Sequence, residues 1–209
     1  SPSRCTVETL SCIQPRGKFS LVLGESELRL SGKTELSSAW GNVRCVVRFP
    51  KPDPYKTDKA GNNQFLLVSF KEGVPHGAKS AKMDAVVLQA DGKKTMNLTL
   101  ASLAGGPGSE YSGPEPDALP RILLAAANGD RGGGDELALG QPEPSVFCSS
   151  SQVAYVGCYW GVKDGHLYPL REGMLFFKPP LFLPIDDISG MSISSDPRRR
   201  AVEMEVEMD

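Results

Sequence analysis

Apolar and polar residues alternate over short runs along most of this chain, the period of strands with one buried face. Residues 18–24 (KFSLVLG) and 27–30 (ELRL), parted by Glu25 and Ser26, predict a hairpin. Residues 43–49 (VRCVVRF) predict a strand stopped by the run 50–54, whose prolines cannot keep donating to a ladder. Residues 65–70 (FLLVSF) and 85–89 (AVVLQ) follow, and Asp91-Gly92 offers a tight turn before 95–100, about six strands in all. The best helix candidate spans 117–128, with Asp117 as cap, Pro120 in the first turn, and Leu119, Ile122, Leu123 and Ala126 on one face. Gly- and Pro-rich stretches at 104–116 and 128–144 bracket it, and the tract Gly132-Gly133-Gly134 places a linker at 131–144. Strands are then expected at 152–160, 166–170, 174–178 and 181–184, divided by turns at 163–165, Glu172-Gly173 and Pro179-Pro180. Finally, 202–209 alternates Val202, Met204, Val206 and Met208 with Glu203, Glu205, Glu207 and Asp209, a strand with one acidic face. The pattern predicts a mainly β protein with two units, 1–130 and 145–209.

Composition agrees with a folded chain: 209 residues suit two small domains, with 40% hydrophobic and 23% charged residues. No apolar run approaches the roughly 18 residues of a membrane helix. The N-terminus lacks the layout of a signal peptide, which predicts a soluble intracellular protein. Five cysteines, an odd number without a Cys-x-x-Cys pair, predict free thiols. The two histidines, His76 and His166, stand far apart, so no zinc site is expected.

Catalytic motifs are missing: there is no Ser-His-Asp order, nucleophile elbow or phosphate-cradling loop, and no cofactor is implied. Asp186 and Asp187 are adjacent, so on a strand they would face opposite ways instead of converging on a substrate. His166 reads as a strand-opening residue, with a ligand or switch role as the lesser reading. These features favour binding over an enzyme.

The formal charge of −2 hides an uneven distribution. Residues 42–94 carry ten Lys or Arg against five Asp or Glu, whereas 145–209 carry six against nine. Two solvated surfaces account for this, and so does a binding protein with a basic half and an acidic half.

Strands closed by one C-terminal helix are the order of a pleckstrin-homology barrel. In the second half, Gly161-Val162-Lys163-Asp164-Gly165-His166-Leu167-Tyr168-Pro169-Leu170 precedes Gly173, the strand 174–177, Lys178-Pro179-Pro180 and Asp187-Ile188. This stretch resembles the tandem pleckstrin-homology modules of fungal histone chaperones that act on transcription and replication. It also resembles the middle domains of the FACT complex, including its structure-specific recognition protein subunit. The resemblance is strong over 153–191 and looser in the first half, at 19–23 and 48–52. It implies two tandem pleckstrin-homology-like barrels, the first closed by its helix. The second lacks that helix, would expose Val202 and Val206, and leads to the expectation that the natural protein continues past Asp209.

A nuclear histone chaperone module that binds without turnover is the implied function, with nucleosome assembly or reorganisation as its setting. Histones are the expected partners, double-stranded DNA the second candidate, and other chromatin factors further ones. Carboxylates suited to histone Lys and Arg are Asp186, Asp187, Glu203, Glu205, Glu207 and Asp209. Cations suited to DNA phosphates are Lys51, Lys56, Lys59, Lys79, Lys82, Lys93, Lys94, Arg198, Arg199 and Arg200. For the lysines the rival reading is a solvated loop, and for the arginine run a turn or an import signal. The alternative function is a lipid- or peptide-binding adaptor. Phosphoinositide binding in this fold wants several cations in the first strand turn. That turn, read as Gly24-Glu25-Ser26-Glu27, carries two carboxylates, so a membrane partner is not expected.

Overall fold

A computed structural model describes residues 2–52, 63–77, 81–129, 131, 135–195, 198 and 202–209. Strands make up 62% of it and one α-helix accompanies them, so the mainly β expectation holds. Two compact units emerge, Ser1–Gln141 and Pro142–Asp209. Among the described residues no sheet closes into a barrel, which corrects the barrel expectation: the outermost strands of each sheet do not pair with each other.

In the first unit, β1 (Ser3–Gln14), β2 (Gly17–Gly24), β3 (Glu27–Gly32) and β4 (Glu35–Ala39) form an antiparallel meander. A short 3-10 helix, Trp40–Asn42, leads into a second meander of β5 (Val43–Pro50), β6 (Asn63–His76) and β7 (Ala81–Asp91). A ribbon of β8 (Thr95–Leu100) and β9 (Ser109–Pro114) precedes α1 (Glu115–Asn128) and the short β10 (Leu139–Gly140). β7 returns to pair with β1, which merges both meanders into one sheet of order β10-β5-β6-β7-β1-β2-β3-β4.

The alternation rule misses β1 for a local reason. Its buried residues are Cys5, Val7, Leu10 and Cys12, and the odd interval arises at Thr9, whose φ is 58°. There the pairing with β2 slips between Val7 and Leu10, and the bulge swaps which parity faces inward. Because β1 exists, the first strand turn of this unit is Pro15-Arg16 and not Gly24–Glu27, a correction to the sequence reading.

The expected helix face is right: Leu119, Ile122, Leu123 and Ala126 are all fully buried. Its start is not, since the helix begins at Glu115 and Asp117 lies in the first turn without capping it. Pro120 has no N–H, which leaves the Pro116 carbonyl without its usual partner one turn on. Arg48 on β5 fills that role, donating from Nη1 to the Pro116 carbonyl (3.3 Å) and to Asp117 Oδ1 (2.7 Å), and from Nη2 to Gln141 Oε1 (2.9 Å). Glu115 is buried, and its carboxylate accepts the Asp91 N–H at 2.6 Å.

Residues 131–144, expected as a linker, carry several ties into the first unit. Asn128 mimics a strand partner by bonding both the N–H (2.8 Å) and the carbonyl (2.9 Å) of Leu137. Arg131 donates to the carbonyls of Trp40 (2.7 Å) and Val43 (2.8 Å). β10 pairs in parallel with Val46 and Val47, and the tract at 132–134 lies outside the described residues.

The second unit starts with an antiparallel meander of β11 (Val156–Trp160), β12 (Lys163–Leu170), β13 (Gly173–Phe177) and β14 (Leu181–Pro184). A 3-10 helix, Ile185–Asp187, leads to the hairpin of β15 (Ile188–Ser195) and β16 (Val202–Met208). Two glycines of the quoted motif have steric reasons. A Cβ on Gly165 would stand 2.6 Å from the Phe176 ring, and Gly173 has φ +149° with the Leu183 carbonyl where a Cβ would point.

Arg48→Ala is expected to lower the unfolding free energy by about 1–3 kcal/mol, since it strips a charged donor from a helix carbonyl that has no other local partner. Urea unfolding measures this, and Arg48→Lys should restore only part because one ammonium cannot span three acceptors.

Candidate functional site

The acidic strand forms as the sequence predicts, and the structure supplies its partner. In the β15–β16 register Ser194 faces Glu203, Ser192 faces Glu205 and Gly190 faces Glu207. Directly opposed residues share a sheet face, so these three glutamates form a row on one side with only small residues across from them. Successive members stand roughly 7 Å apart along the strand. Asp209 continues the alternation, and its N–H donates to the Asp187 carbonyl at 3.0 Å, which brings Asp187 to the same end of the hairpin. Glu203, Glu205, Glu207 and Asp209 are exposed, as is Asp186, whereas Asp187 is half-buried. Asp186 and Asp187 lie in the 3-10 helix and not on a strand, contrary to the geometry first assumed for them.

The other side of the hairpin is apolar, and the sequence reading had only its β16 half. Met191 opposes Val206, Ile193 opposes Met204, and Ile188 opposes Met208. Met191 is 59% and Ile193 71% exposed. β15 escaped notice because ISGMSISS carries its apolar residues among serines and glycine, with a bulge between Ile188 and Gly190.

Of the proposed DNA-contacting cations, Lys51, Lys93 and Lys94 come together at one end of the large sheet. The Lys51 N–H donates to the Asn63 carbonyl, Asn63 pairs with Asp91, and Lys93 and Lys94 follow in the next turn. All three are exposed. Lys82 is opposite Pro75, nearer the other end of β7 and roughly 30 Å along the strand from Asp91, so it does not join them. Arg198 is exposed in the second unit, and Lys56, Lys59, Lys79, Arg199 and Arg200 lie outside the described residues.

His166 is the fourth residue of β12, not its opening one, and its ring meets Tyr155 edge-on at 5.6 Å. Burial pushes its pKa below the ordinary histidine value; Asp164 opposes that shift and Lys178 adds to it. All five cysteines are free thiols, and burial pushes Cys12 up to about 12, which keeps it an inert core residue. No helix among the described residues is long and apolar enough to cross a membrane.

Residues 154–209 match the family described as the histone chaperone Rttp106-like middle domain. The chain is also similar to the FACT complex subunit POB3 of Candida glabrata, 23% identical over 193 residues, covering 86% of this chain and 32% of that protein. Similarity extends to the FACT complex subunit Ssrp1 of Drosophila melanogaster (22% over 193 residues, 88% of this chain, 24% of that one). The SSRP1 subunit of Xenopus laevis is 21% identical over 193 residues, with 88% and 25% covered. The resemblance to FACT and Rttp106-like histone chaperones drawn from the quoted motif is therefore shown. The chain spans about a third or less of the length of these relatives.

Because His166 has a folded pKa below the roughly 6.5 of an unfolded histidine, the unfolded chain takes up its proton first. Stability from this group is complete above about pH 6.5 and is lost as pH falls through that value towards the folded pKa. Thermal melts from pH 7.5 to 5 should show this decline, and His166→Gln should flatten it; an unchanged slope would assign the decline to other groups.

Proposed function

We propose that this chain is a nuclear histone-binding module that holds basic histone segments during nucleosome assembly or reorganisation, acting as a chaperone without turnover. The observation that carries this reading is the glutamate row of β16, with Asp209 and Asp187 at its end. An extended basic segment with Lys or Arg at alternate positions has the same spacing of roughly 7 Å, so cation and carboxylate rows match in register. Carboxylates roughly 7 Å apart in water repel by about 0.6 kcal/mol per neighbouring pair, and a polycation relieves that repulsion. The names of the similar FACT subunits support the chromatin setting and make other chromatin factors natural partners.

Double-stranded DNA is the second partner in this reading, taken by Lys51, Lys93 and Lys94 at the end of the large sheet. Contacts of this kind would be blind to sequence and sensitive to salt. Arg16 lies in the Pro15-Arg16 turn and Lys18 just after it, a feature in favour of a phosphoinositide adaptor. Two cations at a two-residue turn form a weaker anion site than the several that such lipids want.

Fluorescence anisotropy with labelled core histones tests the reading. Changing Glu203, Glu205 and Glu207 together to Gln should weaken binding roughly 3- to 150-fold near 0.15 M salt, taking each exposed pair at about 0.2–1 kcal/mol. A variant that binds histones as tightly as the original would remove the acidic face from the function. Binding to phosphoinositide vesicles but not to histones would favour the adaptor. For DNA, changing Lys51, Lys93 and Lys94 to Gln should flatten the slope of log affinity against log salt by up to about three.

A further inference from the structure

The segment that leaves α1 returns along the edge of the large sheet. β10 is the outermost strand there and pairs with β5 through Leu139 with Val46 and Gly140 with Val47, whereas β6 pairs with β5 from Val43 to Pro50. Side chains hold the remainder of residues 135–141, which form a strap. Asn128 brackets Leu137 through its N–H and its carbonyl, Arg131 Nη1 donates to the Asp135 carbonyl (3.1 Å), and Arg48 Nη2 donates to Gln141 Oε1 (2.9 Å). Leu137 and Leu139 stand two apart, so they share a face, and both pack against the core. Asp135, Glu136, Ala138 and Gln141 are exposed.

The strap has the chemistry of a peptide bound to a sheet edge. An edge strand accepts an added chain through its backbone, and the sites for alternate side chains decide which chain fits. Here those sites take Leu137 and Leu139, with Arg131 at the start of the strap and Arg48 at its end. The strap offers both arginines neutral oxygens, a backbone carbonyl to Arg131 and a side-chain amide to Arg48. Arg48 meets its carboxylate elsewhere, at Asp117 through Nη1, and Arg131 Nε is buried without an acceptor among the described residues. A carboxylate in the place of either neutral oxygen makes a charge-assisted bond, about twice as strong. The strap therefore fits the groove in its apolar positions and leaves the cationic ones to a better acceptor.

We infer that the edge of β5 is a docking groove for an extended acidic peptide segment of a partner protein, which residues 135–141 occupy in the free chain as a built-in competitor. The partner's segment carries aliphatic residues at two alternate positions, in the places of Leu137 and Leu139, and carboxylates towards Arg131 and Arg48. The strap must leave before that segment docks, so the apparent affinity is the intrinsic one reduced by the fraction of chains whose strap is released. Such a partner is opposite in charge to the basic segments assigned to the glutamate row of β16. The inference therefore does not depend on histone binding.

Fluorescence anisotropy on the whole chain tests it, with a labelled peptide that copies residues 135–141 and carries Gln141→Glu. In a chain with Leu137→Ser and Leu139→Ser the strap no longer competes, and this chain should bind the peptide roughly tenfold or more tightly than the unaltered one. A peptide bearing the same two serines should bind neither chain. Equal affinity of the peptide for both chains, or its failure to bind the altered chain, overturns the inference. Amide hydrogen exchange supplies a readout that needs no variant and so survives a folding defect in the altered chain. Excess peptide added to the unaltered chain should speed exchange severalfold at Leu137, whose N–H is held by Asn128, and leave Leu66 in β6 unchanged. Exchange at Leu137 that ignores the peptide contradicts the inference. So does a dimer that grows with chain concentration and vanishes with the two serines, which would make a second copy the occupant. Histone affinity is expected to be the same in both chains, so the two readings fail separately.

Discussion

A β-strand sends successive side chains to opposite faces, and everything distinctive about the second unit depends on that alternation being held in one register. With Ile193 opposite Met204 and Ser192 opposite Glu205, carboxylates gather on one side of the hairpin and methyl and thioether groups on the other. A slip by one residue would set Ile193 against a glutamate and scatter both surfaces. The bulge at Ser189 fixes the phase, just as the bulge at Thr9 does in β1. The same hairpin therefore carries carboxylates on one face and apolar groups on the other.

The first unit solves a different problem, how to hold backbone that cannot pair with itself. Pro120 deprives the helix of a donor and the region after it is rich in glycine, so long side chains from distant strands take over. Arg48 reaches the Pro116 carbonyl, Arg131 reaches the carbonyls around the Trp40 corner, and Asn128 stands in for a strand edge beside Leu137. These ties carry the segment up to Gln141 into the unit and leave Pro142 as the start of the next.

Much of this was legible in the sequence where one period runs unbroken. The helix face from Leu119 to Ala126 and the glutamates of β16 were readable because nothing interrupts their spacing. β1 was not, because Thr9 shifts the phase between Val7 and Leu10, and β4 hides behind small polar residues with only Leu36 and Ser38 turned inward. The lysine surface was half legible: composition points to basic residues, but only pairing shows that Lys51, Lys93 and Lys94 meet while Lys82 lies far along β7.

The most direct measurement is the cross-strand register of β15–β16 in solution, read from nuclear Overhauser contacts in the isotopically labelled chain. Contacts joining Met191 with Val206, Ser192 with Glu205 and Ile193 with Met204 are expected. Contacts joining Ile193 with Glu203 or Glu205 in their place would put acids and apolar groups on the same face, and would contradict the acidic surface.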